Sequence, residues 1–271
     1  MREFKQIVCP VDFSEFSAHA LFCASSLAEK YDAGLSVLHV VELWRQPLVF
    51  YSPSPALAEY REQVLEVAAA KLLEFVRAHH AEPSKIHRVV LDGAAPDAIL
   101  DVARQRAADL VVMGTHGRRG FDRLMVGSVA ERVIRNAAIP VLAVRVAPQG
   151  GRVLQGPAGP ACVRQVLCCT DFSENSMAAL ECARSLAQKF SAGLTLLHVV
   201  ERTGGVASQA EAEAGRRLEQ LLPPTGLEAG EVRYEVRTGK PYKQIIQVAS
   251  EIRADVVVMA VRGPGAMDVS R

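Results

Sequence analysis

The sequence predicts an α/β protein: two tandem doubly wound domains, each on a five-stranded parallel sheet, with the second copy lacking its last helix and strand. Three observations predict it. Gln6–Glu42 aligns without a gap on Gln165–Glu201 at a constant offset of 159 residues, with 23 identities in 37 positions, which is duplication. Both copies read as an apolar run, Asp-Phe-Ser-Glu, an amphipathic stretch, Ala-Gly, and a second apolar run ending in His-Val-Val-Glu. That is the pattern of a strand, a crossover helix and a parallel neighbouring strand. A length of 271 residues accommodates two ordinary domains.

In the first copy, strands are expected near Gln6–Pro10, Leu35–Val40, Lys85–Leu91, Leu110–Met113 and Pro140–Val146, where apolar runs are bounded by polar or turn residues. Leu110–Met113, preceded by Asp109, has the continuous apolar character of a strand buried on both faces. Helices are expected at Ser14–Tyr31, Ala56–His79, Pro96–Arg106 and Ser128–Asn136. Such alternation gives a doubly wound sheet that takes its ligands beyond the carboxyl ends of the strands. The repeat resumes as Ala108–Gly117 against Ala254–Gly263. After Met113 the first copy continues for 33 residues to reach Val146, whereas 12 residues follow Met259, so the last helix and strand have no counterpart. Ala147–Ala161 holds four glycines and three prolines in fifteen positions, the composition of a linker. The domain boundaries are therefore set at 1–147, 148–161 for the linker, and 162–271.

Composition excludes several classes of function. The chain is 49% apolar with a formal net charge of +1, and its basic residues are scattered rather than gathered in a stripe, which gives no footprint for nucleic acid. The charged N-terminus is unlike a signal peptide and no apolar run reaches about 18 residues, so a cytoplasmic location without membrane insertion is expected. Cys9 and Cys168 lie in strand-like runs and Cys23 and Cys182 on the apolar stripe of a helix. With Cys162 and Cys169 they form no C-x-x-C or paired Cys/His spacing, and reduced thiols without a metal are expected. His79 and His80 end a helix and read as a favourable C-terminal charge pair. No G-x-x-x-x-G-K-[ST], G-x-G-x-x-G or G-x-S-x-G is present, which argues against a P-loop kinase, a dinucleotide oxidoreductase and an α/β-hydrolase.

The segment Gly114–Val129 carries the chemistry. Gly114 and Gly117 follow the buried strand and free the main chain for positive φ or close contact, and Gly127 and Ser128 precede the next helix. Ser128 and Glu131 have the spacing of a capping box, and the helix N-terminus beside them offers N–H groups and a positive dipole end to an anion. Asp12, at the end of the first strand, either accepts hydrogen bonds from ribose hydroxyls across the switch point or caps the following helix. Val40 offers backbone N–H and C=O beside an apolar side chain, as an adenine ring requires. Arg118, Arg119 and Arg123 either neutralise phosphates or solvate the loop, and His116 either covers the phosphates or faces solvent. No Asp/Glu pair is arranged around the loop to hold Mg²⁺ and polarise water, so binding is better supported than turnover.

These residues resemble the universal stress proteins in their tandem form, with the second domain truncated at its C-terminus. The resemblance rests on Val11-Asp12-Phe13-Ser14, on His39-Val40, and on Gly114-x-x-Gly117 followed after nine residues by Gly127-Ser128. It implies a Rossmann-like fold of the adenine nucleotide alpha hydrolase type and ATP as ligand, with Mg²⁺ as an optional companion. It further implies that Asp12 contacts ribose, Pro10, Val11 and Val40 surround adenine, Met113 and Gly114 line the nucleotide, and Gly117, Gly127, Ser128 and Val129 hold the phosphates. The second copy keeps Asp171, Val199 and Gly263 but has Ala260 for Gly114 and Cys169-Thr170 for Pro10-Val11, which puts its site in doubt. In the family the fifth strand is an edge that pairs with a second domain, so Pro140–Val146 is expected to pair with another chain in a homodimer. The leading expectation is a nucleotide-dependent stress-response regulator without strong catalysis. The alternatives are a slow ATPase or autophosphorylating enzyme, with Ser128 or Thr115 as phosphoacceptor, and an adaptor docking a protein partner through Leu43–Pro55 with Trp44, Phe50 and Tyr51.

Overall fold

The computed structural model describes residues 3–43, 55–79, 86–115, 127–145, 163–201, 207–222, 227 and 231–261. The chain divides into two compact units, one holding Glu3–Ala161 and the other Cys162–Arg271. The 148–161 linker of the sequence reading lies outside the described residues.

The first unit runs β1 (Gln6–Pro10), α1 (Glu15–Tyr31), β2 (Gly34–Val41), α2 (Pro55–His79), β3 (Ile86–Asp92), α3 (Ala95–Gln105), β4 (Leu110–Gly114), α4 (Ser128–Asn136) and β5 (Val141–Val144). Its sheet has the order β3-β2-β1-β4-β5, parallel throughout. The second unit runs β6 (Gln165–Cys169), α5 (Glu174–Phe190), β7 (Gly193–Val200), α6 (Ala207–Leu221), β8 (Val232–Thr238), α7 (Pro241–Glu251) and β9 (Val256–Val258), with the parallel order β8-β7-β6-β9 among the described residues. No helix among the described residues is long and apolar enough to cross a membrane.

Alternation along the strands sends successive side chains to opposite faces. Val8, Leu38, Val111 and Met113 meet α3 and α4 in one core, with Ile99, Val102, Ala103, Ala130 and Val133 contributed by the helices. Full burial of each such aliphatic side chain stabilises by roughly 1.5–3 kcal/mol. Helix α1 starts where Ser14 adopts an extended conformation and its side chain accepts from the Ser17 N–H. It stops at Asp32, which takes the left-handed conformation at φ 54°, and the Ala33 N–H closes on the Ala28 carbonyl. The duplicate, α5, is built alike, with Ser173 as N-cap and Ser191 left-handed at φ 51°.

Asp109 has a structural role that its neighbours in sequence do not reveal. Its Oδ2 accepts from the N–H groups of Lys5 and Gln6 at 2.8 and 3.0 Å, clamping the start of β1 to the start of β4. Asp255 does the same for Arg164 and Gln165, at 2.8 and 3.0 Å. Both sheets are thus pinned at the amino-terminal ends of their central strands.

Candidate nucleotide site

The clamp leaves the other end of the β1/β4 pair to open. β1 stays paired with β2 as far as Pro10 against Leu38, but among the described residues its pairing with β4 ends at Val8 against Val111. β4 continues instead beside β5, to Gly114 against Val144. The two central strands therefore part company at their carboxyl ends. This is the switch-point crevice in which doubly wound sheets take ligands.

The β1–α1 turn forms one wall. Asp12, half-buried, accepts at Oδ1 from the Ser14 N–H at 3.1 Å and from the Ser14 hydroxyl at 2.5 Å. Ser14 in turn accepts from the Ser17 N–H at 3.3 Å, so the helix cap is Ser14, and Asp12 orients the cap rather than supplying it. The Val11 N–H donates to the Leu38 carbonyl at 2.8 Å, and Val11 is buried. Phe13 takes a positive φ of 65°, uncommon for an aromatic residue.

Gly114 forms the floor. A Cβ there would meet the Phe16 backbone carbon and oxygen, both at 3.1 Å, and no positive φ is involved. The glycine is required first by the close approach of α1, and the positive-φ rationale of the sequence reading does not apply. Thr115 is buried, its N–H donates to the Val144 carbonyl at 3.0 Å, and its carbonyl accepts from the Gly127 N–H at 2.7 Å. That last bond joins the two ends of the glycine motif although eleven residues intervene. His116, Gly117, Arg118, Arg119 and Arg123 fall within those eleven and lie outside the described residues.

The start of α4 corrects the expected capping box. Gly127 is the N-cap, extended at φ −61° and ψ 148°, and Ser128 is the first helical residue. The Gly127 carbonyl accepts from the Glu131 N–H at 2.9 Å, while the Glu131 carboxylate pairs with Arg135. Serine one position into the helix cannot reach the N–H groups of its own first turn as an N-cap side chain does. The N–H groups of Ser128, Val129 and Ala130 have no acceptor within the helix and receive no side-chain cap among the described residues, and the bond from Gly127 to Thr115 holds this positive end of α4 beside the end of β4. Of the two candidate phosphoacceptors, Thr115 is buried and Ser128 exposed.

The described cysteines, Cys9, Cys23, Cys168, Cys169 and Cys182, are buried and form no disulfide bond with one another, and Cys162 lies outside the described residues. Burial, and then the neighbouring Cys23, pushes the Cys9 thiol far above its ordinary range, and burial pushes Cys23 up to about 12. Such thiols are poor nucleophiles at neutral pH. His79, on the last turn of α2, directs its ring nitrogen at the Phe75 carbonyl, 2.7 Å away. Trp44, Phe50 and Tyr51 of the proposed docking segment lie outside the described residues.

The family model described as "Universal stress protein family" matches residues 3–145 and 163–269. The chain belongs to the universal stress protein family, in tandem form. Among curated relatives, universal stress protein MJ0531 of Methanocaldococcus jannaschii is 37% identical over 143 residues, which cover 52% of this chain and 82% of the relative. Universal stress protein YxiE of Bacillus subtilis is 31% identical over 148 residues, covering 52% of this chain and 99% of the relative. A crystal structure of a universal stress protein from Archaeoglobus fulgidus superposes with a TM-score of 0.68 at 22% identity, covering 96% of this chain and 86% of that one. This likeness, too low in identity to carry function, shows the fold over nearly the whole tandem chain.

The second universal stress protein unit keeps the turn, and its central strands pair differently. Asp171 Oδ1 accepts from the Ser173 N–H at 3.0 Å, as Asp12 does from Ser14. Burial works to raise the Asp171 carboxyl, but hydrogen bonds from the Ser173 hydroxyl and N–H and from Ser176 together hold it below the usual carboxylate range. Thr170, in the place of Val11, accepts from the Phe172 N–H at 3.0 Å and shares a hydrogen bond with the Ser176 hydroxyl at 2.9 Å. β6 and β9 pair through Cys168 against Val258, one position further than the corresponding pair of the first unit.

Proposed function

We propose that the first unit binds ATP in the β1/β4 crevice and works as a nucleotide-dependent regulatory module of the stress response, without strong catalysis. The observation that carries this reading is the junction of Gly114-Thr115 with Gly127-Ser128, which brings a helix N-terminus without a side-chain cap among the described residues beside the end of β4. In this reading Pro10, Val11 and Val40 surround the adenine, Asp12 addresses the ribose, and Met113 and Gly114 line the nucleotide. The N–H groups of Ser128 and Val129, entered past Gly127, take the phosphates. His116, Gly117 and Arg118 are assigned to the phosphate side by sequence spacing alone. Nucleotide occupancy regulates only if ATP binds two conformations of the protein unequally. No group of three or more His, Cys, Asp or Glu side chains able to hold a metal occurs among the described residues, and no step is assigned to Mg²⁺.

The test is to denature the purified protein and quantify released nucleotide by liquid chromatography and mass spectrometry, beside a Gly127→Glu variant. The expected outcome is about one ATP per chain in the parent and a loss of about a hundredfold or more in affinity in the variant, whose carboxylate faces the phosphates. No nucleotide in the parent, with none bound on titration, would refute the reading.

β5 stands at an edge of its sheet. We read it as the strand that pairs with a second copy of the chain, since an unpaired edge is ordinarily covered. Light scattering at micromolar concentration should give the mass of a dimer, and a monomer would refute this reading.

A further inference from the structure

A single side chain holds both neighbours of Asp12. His39, in β2, is buried, and its Nδ1–H donates to the Val11 carbonyl at 2.8 Å; because a carbonyl can only accept, this bond fixes the tautomer. The same imidazole stacks on the Phe13 ring, with centroids 4.1 Å apart and planes inclined by 34°. Phe13 is the residue at φ 65°, a conformation that costs on the order of 1–3 kcal/mol and persists only where its surroundings impose it. Phe75 meets Phe13 edge-on at 5.5 Å, and the Lys71 ammonium lies 4.7 Å from its ring centre. Val11 is thus held by its carbonyl, Phe13 by its ring, and Asp12 between them has its carboxylate turned by Ser14.

The duplicate supplies an internal control. His198 donates to the Thr170 carbonyl at 2.8 Å and stacks on Phe172 at 4.4 Å, with Phe172 at φ 63° and the Arg217 guanidinium 3.9 Å from its ring centre. There, however, the Thr170 hydroxyl also accepts from the Phe172 N–H and bonds to Ser176, bracing the turn from within. Val11 has no hydroxyl with which to do this. In the first unit the hold on the Val11 carbonyl and the Phe13 ring by His39 has no such hydroxyl beside it.

We propose that His39 is a positioning residue for ligand recognition, setting the Asp12 carboxylate for the ribose through its simultaneous hold on Val11 and Phe13. The assignment rests on the adenine-nucleotide reading of the crevice, and it concerns a group that does not itself touch the ligand. It predicts that disturbing His39 removes discrimination at the ribose rather than binding as a whole.

The experiment compares the affinities of ATP and 2′,3′-dideoxy-ATP, by titration calorimetry on nucleotide-free full-length protein, for the parent and for Asp12→Ala, His39→Phe, the double variant and His198→Phe. The parent is expected to favour ATP by about tenfold or more, the size of one hydrogen bond to a charged group. His39→Phe keeps a ring for Phe13 but removes the donor to Val11; the preference should fall to within about threefold of unity, while dideoxy-ATP affinity changes by less than about threefold. In the Asp12→Ala background the His39→Phe change should leave the ratio where it is, and His198→Phe should leave the parent ratio intact. An unchanged ratio in His39→Phe, with both nucleotides weakened equally, would overturn the assignment and make His39 a brace of the fold only. If circular dichroism shows that His39→Phe does not fold, His39→Gln decides: it keeps a donor and loses the ring, and its ratio should also fall, an unchanged ratio again overturning the proposal. A parent that binds neither nucleotide, or both equally, defeats the ribose reading of Asp12 itself, and this assignment with it.

Discussion

The two halves of this chain began as one sequence, and where they have drifted apart shows which features belong to the fold and which to a site. Ser14 and Ser173 cap the first helices alike, Asp109 and Asp255 clamp the strand starts at matching distances, and Phe13 and Phe172 share the same left-handed turn. The drift is concentrated at the carboxyl ends of the central strands. Val111, Met113 and Thr115 of the first unit are 0, 5 and 7% exposed, whereas Val257, Met259 and Val261 at the matching positions are 39, 46 and 62% exposed. In the first unit Ala130 and Val133 of α4, Val141 of β5 and Ile139 between them pack there, and in the second no described residue takes that place.

The largest difference between the halves should appear at the glycine that ends β4. Gly114→Ala puts a methyl 3.1 Å from the Phe16 backbone, and helix and strand must separate to admit it. A cost of about 1–3 kcal/mol is expected. The reciprocal Ala260→Gly, outside the β9 strand and half-buried, should cost no more than about 1 kcal/mol, through chain entropy alone. Hydrogen exchange followed by mass spectrometry reads the two units separately, and equal effects in both would mean that α5 approaches its strand as tightly as α1 does.

A smaller contrast sharpens the shared part. Asp109→Ala and Asp255→Ala each strip two N–H groups at a strand start of a charged acceptor, and each should destabilise its own unit by about 1–3 kcal/mol. Here the two units should agree to within about 0.5 kcal/mol, measured as amide protection in β1 and in β6. A clear excess in one half would show that its clamp bears on a weaker sheet.

Much of this could be read from the residues in line. The strands β1 and β4 and the helices α1 and α4 fall within a residue of their sequence expectations, because apolar periodicity, Ser-x-x-x caps and turn residues are local signals. Asp12, Gly114 and Gly127 were marked by their spacing between strand and helix. The capping box was misread because S-x-x-E fits two registers, and only the extended backbone of Gly127 selects the one in which Ser128 is already helical. Asp109 and His39 carried no signal for what they do: the first reaches residues 104 and 103 positions away, the second a carbonyl 28 positions away.

By itself the sequence determined the repeat, the alternation of elements, the reduced state expected of the cysteines and the family, since each follows from local pattern or from identity between the copies. The tertiary structure decided where β1 and β4 part, that Gly114 yields to Phe16 rather than to a positive φ, and that one histidine secures both sides of Asp12. Those outcomes depend on which backbones approach one another across the sheet, a matter of three-dimensional packing for which residue order along the chain carries no direct code.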